Sequence, residues 1–192
     1  MKVLLTGAGG VIGRRLTELL PYDIVPCSHA RLDITDQNAV RKIVAEVKPD
    51  MIINCAAVLK PISEEDPELA FRVNVQGVQN LLDTGVKLFH FSSHTALDPT
   101  NWYGMTKRAA EYLIDKNKNV ILRLPCVNVG QPRYTSDVFI DDIARMIISL
   151  SDKTGLYNAW DLSSNYFKEK AIRLLERILR KLRGPSLKRA NR

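Results

Sequence analysis

Cysteine, histidine and long apolar runs are all scarce in this chain, and each scarcity removes a class of protein. Cys27, Cys55 and Cys126 are odd in number and widely spaced in strand-like surroundings, so neither a disulfide framework nor a CxxC metal site is suggested, and buried thiols are expected. Of three histidines, His90 and His94 stand four apart but flank a strand end rather than one helix face, and no metal site is expected. The opening run MKVLLTGAGG reaches glycines too soon for a signal-peptide core or a membrane span, which predicts a cytoplasmic protein. At 192 residues and 45% hydrophobic content, the chain suits one sizeable core.

Acidic residues are nearly missing from the C-terminal end. Residues 166–192 hold ten Lys or Arg against two Glu, a local +8 in a chain of net +7, so the first 165 residues sum to about −1. There Phe167, Ala171, Leu174, Leu175, Ile178, Leu179 and Leu182 recur at helical spacing among basic residues, an amphipathic basic helix. It is expected to pack its apolar stripe on the domain, with peripheral membrane binding or partner docking as the alternative. Nucleic acid is not expected, since aromatics do not interleave beyond Tyr166 and Phe167. The organisation predicted is residues 1–163 as one domain, then 164–192 as basic helix and tail.

What is present is alternation. Lys2 to Thr6, Asp23 to Cys27, Met51 to Cys55, Leu88 to Ser92 and Val120 to Leu124 are short, almost wholly apolar runs, as expected for strands covered on both faces. Between them lie helical patterns at Val11 to Leu20, Gln37 to Val47, Glu68 to Asp83 and Tyr103 to Lys116, with Asp36 as an N-cap and Pro67 in a first turn. This predicts an α/β fold, a doubly wound parallel sheet of Rossmann type with helices on both faces. Beyond Leu124 a loop at Val127 to Tyr134, a helix near Val138 to Leu150, a strand near Leu156 to Trp160 and a long last helix are expected. Glu64-Glu65-Asp66 reads as a solvated loop, and Asp141-Asp142 as favourable charge at a helix start.

Gly7, Gly10 and Gly13 follow the first strand and open the first helix, where Val11 and Ile12 supply main-chain amides. That placement points to a dinucleotide whose pyrophosphate rests on the helix N-terminus. The second strand ends in Cys27-Ser28-His29-Ala30-Arg31 with no carboxylate for ribose hydroxyls. Ser28, His29 and Arg31, with Arg14, could hold a 2′-phosphate, so NADP (NADPH) is favoured and NAD is the alternative.

Tyr103 and Lys107 are four apart at a helix start and share a face, where the ammonium would lower the phenol toward a useful proton-transfer range. Ser93 ends a central strand, where open α/β sheets bind ligands, and could orient a carbonyl.

With these residues in place, the segments TGAGGVIG, LDITD, NCAA, FRVNVQGVQNLL, FSS, YGMTKRAAE and YTSDVFIDDIARMI resemble the extended short-chain dehydrogenases/reductases, in the dTDP-4-dehydrorhamnose reductase branch, in order from Met1 to about Ser163. The resemblance implies that Gly7, Gly10 and Gly13 cradle pyrophosphate, Asp33 and Ile34 lie by adenine, and Ala56 and Ala57 line the cofactor cleft. It implies that Asn74 supports the site and that Ser93, Tyr103 and Lys107 form the catalytic triad. In that triad Tyr protonates a keto oxygen as NADPH delivers hydride, and Lys also holds the nicotinamide ribose. Only nine residues, His94 to Trp102, separate Ser93 from Tyr103, and the region after Leu124 is clipped, both departures from the family. Three readings follow. One is a compact keto reductase acting on a small molecule, such as a nucleotide-linked deoxysugar, with its pocket left open or completed by a homodimer or partner subunit. Another is a non-catalytic NADP-binding regulatory or scaffold subunit, like that of methionine adenosyltransferase, and the third is a minimised reductase scaffold.

Overall fold

A computed structural model describes residues 1–125, 127–128 and 138–162. Six parallel strands form its sheet: β1 (Lys2–Thr6), β2 (Asp23–Cys27), β3 (Met51–Asn54), β4 (Lys87–Ser93), β5 (Val120–Leu124) and β8 (Gly155–Asn158), in the spatial order β2-β1-β3-β4-β5-β8. The chain winds outward from β1 to β2, then crosses back to place β3 on the other side of β1. Between β1 and β3 lies the switch point at which such sheets open a crevice above their carboxyl ends.

Each central strand is apolar at both parities because each has two buried faces. Val3, Leu5, Met51, Ile53, Phe89, Phe91 and Leu122 meet α1 (Val11–Leu19) and α7 (Ile140–Leu150) on one side. On the other side Leu4, Ile52, Leu88 and Ile121 meet α2 (Gln37–Val47), α5 (Gly77–Leu82) and α6 (Trp102–Leu113). Phe89 is wholly buried, and its truncation to alanine would cost about 3–5 kcal/mol.

The expected helices form, with their limits set by caps and packing. Asp36 caps α2, accepting from the amides of Asn38 and Ala39 at 2.9 and 3.0 Å. The pattern read as one helix from Glu68 to Asp83 is α4 (Pro67–Phe71), a π turn over Arg72–Gln76, and α5. The helix expected to run to Lys116 ends at Leu113, and Val138–Phe139 is not helical but a short strand (β7) beside β6 (Val127–Asn128). Glu64-Glu65-Asp66 is not a plain loop: Ile62–Glu65 forms the short helix α3, and Asp66 caps α4 through the amide of Leu69 at 2.8 Å. Cys27 is buried and Cys55 partly so, both free thiols; Val127–Asn128 of the expected loop is a short strand, while its residues 129–134, Cys126 and the basic C-terminal helix lie outside the described residues. Among the described residues no helix is long and apolar enough to cross a membrane.

Candidate active site

The turn after β1 is shaped by backbone proximity. Gly7 has φ +67°, and a Cβ there would lie 2.5 Å from the Ala56 nitrogen, so the turn and the loop after β3 touch main chain to main chain. A Cβ on Gly13 would collide with the Gly7 carbonyl. Gly10 differs: a Cβ there would meet only the Gly7 oxygen, at 3.3 Å, and otherwise face open space. Gly10 is also the N-cap of α1 and offers no side chain to its first-turn amides, which are left available to an anion. A pyrophosphate fits this cradle.

The cradle is one end of a cleft of about 370 Å³. Gly7, Gly10, Val11, Ile12 and Gly13 form one wall, Cys55, Ala56 and Ala57 another, and Ser93, Tyr103 and Lys107 a third. The three walls come from the ends of β1, β3 and β4 and the start of α6, so residues a hundred positions apart share one space.

Ser93 accepts from the amide and hydroxyl of Thr95 at 3.2 and 2.9 Å, which leaves its own O–H for Tyr103. Burial pushes the Tyr103 phenol above its ordinary value, and the hydrogen bond with Ser93 pulls the other way without cancelling it. The expectation that Lys107 lowers this phenol is therefore corrected: burial dominates, and Lys107 Nζ instead stands 3.4 Å from His90 Nε2. Burial pulls the Lys107 ammonium down to about 8, against the opposing pull of Glu111 and Cys55. The Cys55 thiol is pushed by burial up to about 12, which makes it inert as a nucleophile.

Several supports carry no motif. His90 lies inside β4, fully buried, with His94 just past the strand's end, and burial and then Lys107 hold the His90 imidazole well below the ordinary value. The α6 N-terminus is held by Asn101, which accepts from the Gly104 amide at 2.9 Å, and by Glu64, which accepts from the amides of Trp102 and Tyr103 at 3.3 and 3.2 Å. Gly104 lets the helix approach the Ser93 turn, since a Cβ there would stand 2.7 Å from the Thr95 carbonyl. Farther along α6, buried Glu111 accepts from Ser92 at 2.5 Å and from Arg123 at 2.8 and 2.6 Å, pinning the helix to β4 and β5. Arg123 and Ser92 could not be paired with Glu111 from spacing alone.

Other candidates lie off the cleft. Asn74 is buried and does not face it: its side chain brackets Val58, accepting from the amide at 2.8 Å and donating to the carbonyl at 2.9 Å, and donates to Thr106 at 3.0 Å. These bonds make it a support of the loop after β3, outside the residues that line the cleft. Ile34 packs into the core against Gly77, whose added Cβ would meet it at 2.7 Å, and the Asp33 carboxylate accepts from the Thr35 amide and hydroxyl at 2.9 and 2.8 Å. Burial pushes the Asp33 carboxyl up, but those bonds more than offset it and hold it below the ordinary range. Ser28 lies against the glycine turn, 3.5 Å from a Cβ at Gly9, and His29 is exposed beside it. Arg31 and Arg14 donate to the carbonyls of Pro26 and Gly9 at 2.9 and 2.7 Å, so the expected phosphate-binding cations are oriented along their own turns. Among the described residues no cluster of three or more His, Cys, Asp or Glu could hold a metal ion.

A parallel doubly wound sheet with a glycine cradle at its switch point and a Ser-Tyr-Lys wall opposite defines a Rossmann-type dinucleotide-binding fold. Residues 1–146 match the family described as the RmlD substrate binding domain, and the chain belongs to it. A crystal structure of dTDP-4-dehydrorhamnose reductase from Bacillus anthracis, in complex with NADP, superimposes with a TM-score of 0.73 at 28% identity, over 82% of this chain and 73% of that one. The dTDP-4-dehydrorhamnose reductase of Aggregatibacter actinomycetemcomitans is 32% identical over 147 residues, 64% of this chain and 50% of that protein. Methionine adenosyltransferase 2 subunit beta of Xenopus laevis is 27% identical over 217 residues, 97% of this chain and 65% of that protein. The chain thus spans between half and two thirds of the length of these curated relatives.

Proposed function

We propose that this chain is an NADPH-dependent reductase of a keto group carried on a nucleotide-linked deoxysugar. The observation that carries the reading is the single cleft joining the Gly10 cradle to Ser93, Tyr103 and Lys107. NADP bound to the Bacillus anthracis relative, and a second strand that ends at Cys27 and is followed by Ser28 with no carboxylate, support the choice of cofactor. The α1 amides would hold the pyrophosphate, Ala56 and Ala57 would flank the cofactor, and Ser28, His29 and Arg31 stand at the turn where a 2′-phosphate would arrive.

When bound, the cofactor supplies hydride to the carbonyl carbon. The chain supplies the rest. The Ser93 hydroxyl orients the carbonyl oxygen, and Tyr103 gives that oxygen its phenolic proton as the C=O π bond becomes C–H and O–H. A phenol raised by burial is protonated at neutral pH, the form an acid for reduction needs. The resulting phenolate is stabilised by the Ser93 O–H and by an ammonium on Lys107, one helical turn away.

Tyr103→Phe should lower kcat for a dTDP-4-keto-6-deoxysugar by at least ~100-fold while leaving the calorimetric Kd for NADPH within about two-fold. Turnover by that variant at the wild-type rate would overturn the mechanism. A second reading, an NADP-binding regulatory subunit, rests on the similarity to methionine adenosyltransferase 2 subunit beta across 97% of the chain. It is favoured if wild type binds NADPH yet reduces no keto-sugar nucleotide.

A further inference from the structure

The sheet register places a polar row under the site. Thr6 lies opposite Asn54, and Asn54 opposite His90, across the three central strands. All three share the parity of Leu4, Ile52 and Leu88, and so point to the face that α6 covers. The row is hydrogen-bonded throughout. Thr6 Oγ1 donates to Asn54 Oδ1 at 2.6 Å, and the Ala56 main-chain N–H donates to the same oxygen at 3.1 Å. A main-chain amide can only donate, so Oδ1 is fixed as the acceptor and the Asn54 NH₂ must face His90 Nδ1, 3.2 Å away. A neutral imidazole that accepts on Nδ1 carries its hydrogen on Nε2. That nitrogen stands 3.4 Å from Lys107 Nζ.

An N–H can be received by a free amine and not by an ammonium. We propose that His90 is a positioning residue that sorts Lys107 by its proton: the amine is held at His90 Nε2–H, and the ammonium is released toward the cleft. The switch takes one proton from solvent to the lysine amine and breaks one hydrogen bond. His90 keeps its own proton throughout. The titratable groups that reach Lys107 are His90 from β4, Cys55 from the loop after β3, and Tyr103 and Glu111 from its own helix. Glu111 is engaged by Ser92 and Arg123, and among the described residues the imidazole is the titratable partner that stands within bonding distance of the Lys107 nitrogen. The consequence for catalysis rests on the reductase reading: only the ammonium can stabilise a Tyr103 phenolate, so the row sets the pH below which the site is armed.

The test uses the full ligand-free chain. Long-range ¹H–¹⁵N NMR should find His90 unprotonated at Nδ1 and protonated at Nε2 from pH 6 to 9, and ¹³C-lysine spectra should show Lys107 titrating near 8. In Asn54→Asp the new carboxylate would draw the hydrogen to Nδ1 and turn Nε2 into an acceptor for the ammonium, raising the Lys107 midpoint by ~1 pH unit or more. A wild-type His90 protonated at Nδ1 overturns the proposal without any variant, as does a flipped tautomer in Asn54→Asp with the lysine midpoint unmoved. None of these readouts uses cofactor or turnover. A chain that passes them and reduces nothing keeps the positioning role and loses the reductase.

Discussion

Lys107 is a cation held in a buried place. It is 3% exposed, and burial brings its ammonium from an ordinary 10.5 to about 8. The unfolded chain therefore holds this proton more tightly than the folded one, so the cost to stability is full below pH 8 and fades as pH rises through 10.5. Lys107→Met should stabilise the fold by about 2–3 kcal/mol at pH 7 and by far less at pH 10, read from urea unfolding at both. An equal gain at both pH values would remove the buried charge as its cause. Tyr103 and Lys107 were legible because their spacing needs only one helix. The direction of the Tyr103 shift was not legible, since it depends on how deeply the cleft wall is buried, which spacing does not encode.

Helix α6 delivers two of the three site residues, and it is held by partners distant in sequence. Glu64 caps its first amides from 39 residues upstream, and nothing in an acidic loop-like triplet announces that contact. The π turn at Arg72–Gln76 is equally silent in the apolar pattern, yet it sets Asn74 so that one side chain satisfies both main-chain groups of Val58 and the hydroxyl of Thr106, whose own O–H bonds the Tyr103 carbonyl at 3.0 Å. Asn74→Ala would leave those groups without that partner. It should cost about 2 kcal/mol in urea unfolding and speed amide exchange at Val58, with the far-UV spectrum unchanged. Exchange at Val58 equal to wild type would show that another group holds the loop.

Across the chain, the glycine cradle lines the cleft together with Ala56 and Ala57, while only nine residues bridge Ser93 and Tyr103. Dinucleotide binding should accordingly be the sturdier property. Calorimetric titration at one fixed salt concentration should give micromolar binding of NADPH and weaker binding of NADH, and the preference should shrink in Arg31→Ala. Equal affinities would place the cofactor's discrimination elsewhere. The main alternation of strands and helices, the glycine turn and the shared helix face of Tyr103 and Lys107 could be read along the chain, because each follows from burial on two faces, a tight turn or a fixed helical spacing. The Thr6–Asn54–His90 row, the Glu64 cap and the inward turn of Ile34 and Asn74 could not. They arise where strand register and helix packing bring distant side chains within hydrogen-bond reach, and local periodicity carries no record of which strand lies beside which.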